Sequence, residues 1–344
     1  MLYWIKILTF SYNLTLLNTK RRLKVYFTNL AKKIMPHSST AVTVLCSCYN
    51  HAEYVCTSMQ SVLNQSHDNI QLIVIDDYSS DNSVEVIENF IQSFPQIQFI
   101  KNKENIGLTQ SVTNALKYIR GDFFIDLAAD DILLPTCIEI QLDAFKKSKF
   151  TNLAMVYGNA ENITKEGNHS SYYFEVDEHL KSKTLRPSGD IYSKVISSET
   201  ILCSVSSMYK KSIFDALNGY DTTLSYEDFD YWIRASREYN IEYIDAVLVQ
   251  KRITPNSLHA SFYTKKNKNS NSTYIILKKA FKLNKNKKEH QALIPRVNIE
   301  IRNSFFTRNY LVMIKNCYLR LRLGLKTSFF FTIRNYPLLT TLSY

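Results

Sequence analysis

The chain has 344 residues, 45% hydrophobic and 13% aromatic, with a formal net charge of +11. That composition excludes a fibrous or disordered protein and allows one large core, or one core with a small companion. The charge is segregated: residues 1–40 carry +7, residues 41–264 carry −11 and residues 265–344 carry +15. An acidic centre between basic ends argues against nucleic acid as the partner and suits a catalytic domain whose ends face an anionic membrane.

The N-terminal stretch MLYWIKILTFSYNLTLL is interrupted by Lys6, Ser11 and Asn13. It falls short of the roughly 18 apolar residues of a membrane span and lacks the basic start and cleavage site of a signal peptide, leaving interfacial attachment open. From Val42 to Cys48, VTVLCSC reads as a strand ending at Tyr49-Asn50, and HAEYVCTSMQSVLNQ reads as a helix. Ile70–Asp77 is a continuous apolar strand, followed by the polar turn YSSDNS and a helix in SVEVIENFIQSF. A third strand is expected at Ile97–Lys101, then the loop NKENIGL and the helix TQSVTNALKYI. A fourth, Asp122–Ala128, runs into Asp130-Asp131. Strands this evenly apolar are buried on both faces of a parallel sheet, which binds ligands at the carboxyl ends of its strands.

Beyond about residue 150 the pattern loosens. A strand is expected at LAMVYGNAE, a polar stretch over 162–188, a helix in SYEDFDYWIRASREYN and a last strand in IEYIDAVLVQKR. The tail from Lys265 has helical stretches, with a lysine run at 282–288 read as a loop. The cysteines (Cys46, Cys48, Cys56, Cys137, Cys203 and Cys317) show neither CxxC spacing nor a paired framework, so a reducing cytoplasm is the simpler setting. Cys46 and Cys48 alternate on one strand face as small core residues.

Three acidic groups admit two readings each. Asp130-Asp131 is either a helix cap or a carboxylate site for Mg²⁺ or Mn²⁺ on a diphosphate. Asp76-Asp77 is ordinary turn chemistry or an acceptor of a base N–H and ribose hydroxyl. Glu227, Asp228 and Asp230 are favourable charge at a helix start or supply the base that takes a proton from an acceptor hydroxyl.

Taken in order, these stretches resemble the inverting family-2 glycosyltransferases of bacterial polysaccharide type over about residues 41–255. VTVLCSCYNHAEYVCTSMQSVLNQ is similar to the family's first strand, Tyr-Asn turn and S-V-x-x-Q helix end. LIVIDDYSSDNS resembles V-D-D-x-S-x-D, and SYEDFDYWIRAS resembles E-D-x-D-x-W-x-R. The resemblance implies a GT-A fold, a Rossmann-like and mostly parallel open sheet with flanking helices, plus a basic helical tail. It implies three segments: a basic amphipathic 1–40, a GT-A domain over 41–264 and a helical tail over 265–344. It further implies a nucleotide-diphosphate donor of UDP type, a divalent metal, and a glycan or lipid-linked acceptor. Tyr49, Asn50, Asp76, Asp77, Asn105, Gly107 and Asn114 would lie on the donor side. Asp130 would bind metal, with Asp131 a second candidate. Asp228 would be the base, and Glu227, Asp230 and Trp232 would lie on the acceptor side.

Departures from the family pattern are equally visible. Where relatives read D-A-D-D this chain reads Ala128-Ala129-Asp130-Asp131, with Asp126 two residues before the missing carboxylate. At KRITPNSLH, Arg252 is kept, while Lys251 and Thr254 stand at flanking positions; His259 is a stand-in for the family's histidine or a lone surface residue. The absent Q-x-x-R-W segment argues for a non-processive enzyme. A catalytically silent nucleotide-sugar or polysaccharide binding module is the alternative that Ala128 keeps open. Aromatics such as Phe329, Phe330 and Phe331 among Arg320, Arg322, Lys326 and Arg334 make the tail a solvated helical surface or a membrane contact. The expected location is the cytoplasm, peripheral at the inner face of the cell membrane.

Overall fold

A computed structural model describes residues 40–254, 261–262 and 264–324. The chain divides into units 1–40 and 41–344. The expected N-terminal segment (but for Thr40), His259, Lys326, Arg334 and the phenylalanines at 329–331 lie outside the described residues.

The first half follows the apolar pattern closely. Strand β1 (Val42–Cys48), helix α1 (Val55–Leu63), β2 (Ile70–Asp76), α2 (Ser83–Ile91), β3 (Gln98–Lys101), α3 (Leu108–Ala115) and β4 (Phe123–Ala128) form three βα units and a fourth strand. Leu72 to Asp76 are all buried, as expected of strands covered on both faces. β1 pairs parallel with β2 and β4, and β2 pairs parallel with β3.

The second half completes a nine-stranded sheet with the order β3-β2-β1-β4-β8-β6-β9-β5, β7 pairing with β6. It contains β5 (Ile132–Leu133), α4 (Cys137–Lys147), β6 (Leu153–Ile163), β7 (His169–Tyr172), α5 (Tyr192–Ser197), β8 (Met208–Lys210), α6 (Lys211–Ala216), α7 (Asp228–Glu238) and β9 (Asn240–Arg252). β8 is antiparallel to both β4 and β6, while β6 and β9 are parallel. Consequently β1, β2, β3, β4, β6 and β9 all point the same way, and their carboxyl ends share one edge.

Three helices follow: α8 (Asn269–Leu283), α9 (Lys287–Phe306) and α10 (Tyr310–Arg322). The lysine run at 282–288, read from sequence as a loop, instead spans the end of α8, a three-residue break and the start of α9. The break is shaped by an N-cap: the Asn286 side chain accepts from the Glu289 N–H at 3.0 Å and donates to Glu289 Oε1 at 3.0 Å, while Glu289 Oε2 accepts from Lys285 N at 2.6 Å. These helices pack directly on the sheet domain. Tyr192 Oη donates to Asn284 Oδ1 at 2.7 Å, and Arg237 pairs with Glu289 at 2.9 Å. All six cysteines are free, and burial pushes the Cys46 thiol up to about 12.

Candidate active site

The ends of β1 and β2 are tied together before any ligand is considered. Asn50, at a φ of 57°, turns its Oδ1 to accept from Ser80 N at 2.7 Å and Ser80 Oγ at 3.1 Å, while its own N–H donates to Ser79 Oγ at 2.9 Å. Asp76 accepts from Ser79 N at 3.0 Å and Ser79 Oγ at 2.5 Å. Asp81 accepts from Ser83 Oγ at 2.5 Å, Ala52 N at 3.0 Å and Ser83 N at 2.9 Å, and those contacts hold its carboxyl below its usual value against partial desolvation. Tyr49 and Tyr78 flank this cradle with exposed rings. Tyr78 sits at a φ of 65°, a conformation that costs a bulky side chain and concentrates at functional sites.

Asp77 faces the other way, into protein. Its Oδ1 accepts from Asn102 Nδ2 at 2.8 Å, Ile106 N at 3.0 Å and Ser111 Oγ at 2.9 Å, and its Oδ2 from Gly107 N at 2.8 Å. Three of the four donors on this buried carboxylate fix the loop 102–107 to the end of β2, and the fourth, Ser111, ties in α3. Gly107 takes a φ of 85° and ψ of 153°, a region open essentially to glycine, although a Cβ there would meet nothing within 4 Å. Backbone conformation, and not space, demands glycine. Asn105 is exposed on this loop, and Asn114 is exposed on α3, accepting from Gln110 at 2.9 Å.

Beyond β4, Asp130 and Asp131 separate. Asp131 is buried: its Oδ1 accepts from Arg252 N at 2.9 Å, and burial, with the Asp130 charge beside it, raises its carboxyl well above the ordinary range. Arg252 also donates from Nε to the Asp130 carbonyl at 3.1 Å and from Nη1 to the carbonyls of Thr164 and Lys165 at 3.0 and 2.7 Å. Its guanidinium lies 4.5 Å from the centroid of Tyr54. Arg252 therefore brackets the acidic turn against the β6–β7 hairpin.

The Asp130 carboxylate is partly exposed, with His51 Nε2 at 3.8 Å from its Oδ2. Among the described residues no group of three or more His, Cys, Asp or Glu side chains is placed to hold a metal ion. One open carboxylate beside one imidazole fits a divalent cation whose remaining ligands come from a substrate diphosphate and water, the usual arrangement for Mg²⁺. It does not fit a resident, all-protein metal site.

A second acidic cluster lies between β4 and the start of α7. Asp126 points to Tyr220 Oη, 3.5 Å away, and burial pushes its carboxyl up to about 7, with the Asp228 charge adding to the effect. It thus joins Asp228 and Glu227. Glu227 accepts from Thr109 Oγ1 at 3.4 Å, and burial plus its acidic neighbours raise it well above the ordinary carboxylate range. Asp228, the first residue of α7, accepts from Phe229 N at 2.6 Å. Burial raises its carboxyl too, opposed by a hydrogen bond from Ser204 and by the charges of Lys251 and Arg296. Arg296 reaches this place from α9, donating to Ser198 Oγ at 3.1 Å with its guanidinium 4.5 Å from the Phe229 centroid.

Two expected acceptor-side residues turn inward instead. Asp230 is buried between Arg234 Nε at 2.7 Å and Lys279 Nζ at 2.6 Å, locking α7 to α8. Trp232 is buried in the hydrophobic core. The strand-end logic could have found Asn102, which directly follows β3, and His51, within the quoted YNH segment. Arg296 carries no local signal, because it lies far along the chain on an unremarkable helix face.

An α/β sheet with acidic side chains gathered at the common edge of its parallel strands, followed by packed helices, is the architecture of a GT-A glycosyltransferase. The sequence pattern of Glycosyl transferase family 2 matches residues 43–217, and the chain belongs to that family. The Escherichia coli chondroitin synthase is 25% identical over 207 residues, 60% of this chain and 28% of that protein. An uncharacterized glycosyltransferase of Methanocaldococcus jannaschii is 30% identical over 225 residues, 62% of this chain and 70% of that protein. The chain thus spans from about a quarter to about two-thirds of the length of these curated relatives. In solved structures, S. aureus TarS in complex with UDP-GlcNAc superposes with a TM-score of 0.59 at 14% identity, over 82% of this chain and 79% of that one. A mannosyltransferase from Pyrobaculum calidifontis in complex with GDP-Man and Mn²⁺ gives 0.54 at 14% identity, over 89% and 83%. At that identity the likeness speaks for the fold.

Proposed function

We propose that the protein transfers a sugar from a nucleoside-diphosphate donor to a hydroxyl acceptor by a single inverting displacement, without processive elongation. One observation carries the reading: a cradle of polar groups at the ends of β1 and β2 and a half-buried carboxylate cluster of Asp126, Glu227 and Asp228 belong to the same side of the sheet, where the parallel strands end. On the donor side, Asp76 and the Asn50-stapled turn hold base and ribose, with Tyr49 against the ring, and Asp77 acts through the 102–107 loop. Solved relatives by fold carry UDP-GlcNAc and GDP-Man, which supports a nucleotide-sugar donor and leaves a UDP-type base as the first to test.

Asp228 acts as the base. Its raised affinity for a proton, from burial, brings it closer to the pH at which it can receive the acceptor proton. The acceptor oxygen then forms its bond to the anomeric carbon as the bond to the diphosphate oxygen breaks, and the nucleoside diphosphate departs. Asp130 and His51 would hold a divalent cation together with that diphosphate. Such a cation, Mg²⁺ or Mn²⁺, supplies neutralisation of the leaving group. Lys251 and Arg296 keep Asp228 from staying protonated once substrate is bound.

A glycan or lipid-linked acceptor at an anionic membrane surface agrees with the basic C-terminal third. No helix among the described residues is long and apolar enough to cross a membrane. The test is nucleotide release from a panel of UDP- and GDP-sugars with Mn²⁺, in the presence of membrane and glycan extracts. Release from one donor supports the reading, and binding without turnover for every donor and extract would refute transfer.

A further inference from the structure

Helix α10 is packed on one side and apolar on the other. Its inner side buries Val312, Asn316, Leu319 and Arg320. On the outer side Tyr310, Leu311, Ile314, Tyr318 and Leu321 are 52, 77, 59, 62 and 63% exposed. At about 100° per residue those five fall within an arc of roughly 100°, centred on the side away from the buried residues. A helix on the surface of a water-soluble protein ordinarily turns polar residues outward. Phe305 and Phe306, at the end of α9, are exposed beside it.

The charge around this stripe has one sign. Residues 301–324 contain five Lys/Arg and neither Asp nor Glu. Lys315 and Arg322 project just beyond the edge of the apolar arc, at about 140° and 120° on the same wheel. Both lie along the protein, Lys315 Nζ 5.4 Å from the Tyr274 centroid and the Arg322 guanidinium 4.6 Å from that of Phe281. A partner for this face needs an apolar interior under an anionic rim. A second copy of the chain would bring like cations together. An anionic lipid surface meets both requirements, since aliphatic side chains enter the acyl boundary, tyrosines settle at headgroup level and cations meet phosphates.

We propose that α10 is the membrane-docking face, with Leu311, Ile314 and Leu321 inserted and Lys315 and Arg322 on lipid phosphates. This sharpens the membrane part of the functional reading and is independent of sugar transfer. The experiment is flotation of the full chain with phosphatidylglycerol-containing and pure phosphatidylcholine vesicles at two salt concentrations. Wild type is expected to bind the anionic vesicles, less at higher salt, and the double variant Leu311→Glu, Ile314→Glu to bind at least tenfold more weakly. Its melting temperature should match wild type, because both side chains already face solvent. Undiminished binding by that variant would overturn the assignment to α10 while leaving attachment by another segment. Absence of binding to any vesicle would overturn both. A wild-type dimer in analytical ultracentrifugation that the same substitutions dissociate would give the face to a second copy and overturn the proposal.

Discussion

Replacing Asp77 with alanine removes the acceptor of four hydrogen bonds, three that pin the loop 102–107 to the end of β2 and one from Ser111 on α3. The Asn102 donor keeps a partner, since its Nδ2 also donates to Ser111 Oγ at 2.8 Å, and the Ser111 hydroxyl can rotate to another acceptor. The backbone N–H groups of Ile106 and Gly107 have no such alternative. Each unmet buried donor costs about 1–3 kcal/mol, and water reaching this surface loop recovers part of it, so the net loss should be about 2–4 kcal/mol. For a domain of this size that lowers the melting temperature by roughly 5–15 °C. Asp77→Asn keeps the three bonds to Oδ1 and turns an NH₂ toward Gly107 N–H, so it should fall between, at about 1–2 kcal/mol. Thermal unfolding paired with calorimetric titration of UDP and GDP reads both effects, with donor affinity expected to fall in step with loop stability. An alanine variant as stable as wild type that has lost nucleotide binding would refute the loop argument and make Asp77 a direct donor contact.

Two further outcomes follow from buried charge. Asp230→Ala takes one partner each from Arg234, which keeps the Leu217 and Gly219 carbonyls, and Lys279, which keeps Asp221; denaturant unfolding should show a loss of about 1–3 kcal/mol, with nucleotide affinity kept at a permissive temperature. Unchanged stability with impaired acceptor kinetics would return Asp230 to the acceptor side. Asp126 has its carboxyl raised from an ordinary 3.8 to about 7 in the folded protein, so its stabilising contribution is complete below about pH 4 and is lost as pH rises through 7. Asp126→Asn, which cannot ionise, should therefore gain in melting temperature relative to wild type between pH 5 and pH 8, and a constant difference across that range would contradict the burial.

The first four strands and three helices were legible because each strand is an unbroken apolar run followed by a polar turn and a helix-spaced segment. Most of the strand-end polar residues could be found by the same logic, since parallel strands deliver their carboxyl ends to one edge. What was not legible depended on distance along the chain. β8 is three residues long and antiparallel, inserted between β4 and β6 with no periodicity of its own. Asp230 reads in sequence like any acid at a helix start with a basic residue four positions on, and it is Lys279, 49 residues on, that ties it to another helix. Asp76 and Asp77 are adjacent and chemically identical, yet one serves its own turn and the other a loop 25 to 34 residues away. Arg296 reaches the base from a helix whose pattern suggested only a solvated or membrane-facing tail.

The most direct measurement of the central claim separates binding from turnover in Asp228→Asn. Nucleotide affinity by titration should equal that of wild type, because Asp228 takes no part in the hydrogen bonds of the β1 and β2 cradle, while release of nucleotide from the active donor should fall by about 10²-fold or more. In wild type that turnover should decline as pH drops, beginning at a higher pH than an unburied carboxylate would give. Undiminished turnover in the variant, or loss of nucleotide binding together with activity, would contradict the assignment of Asp228 as the base.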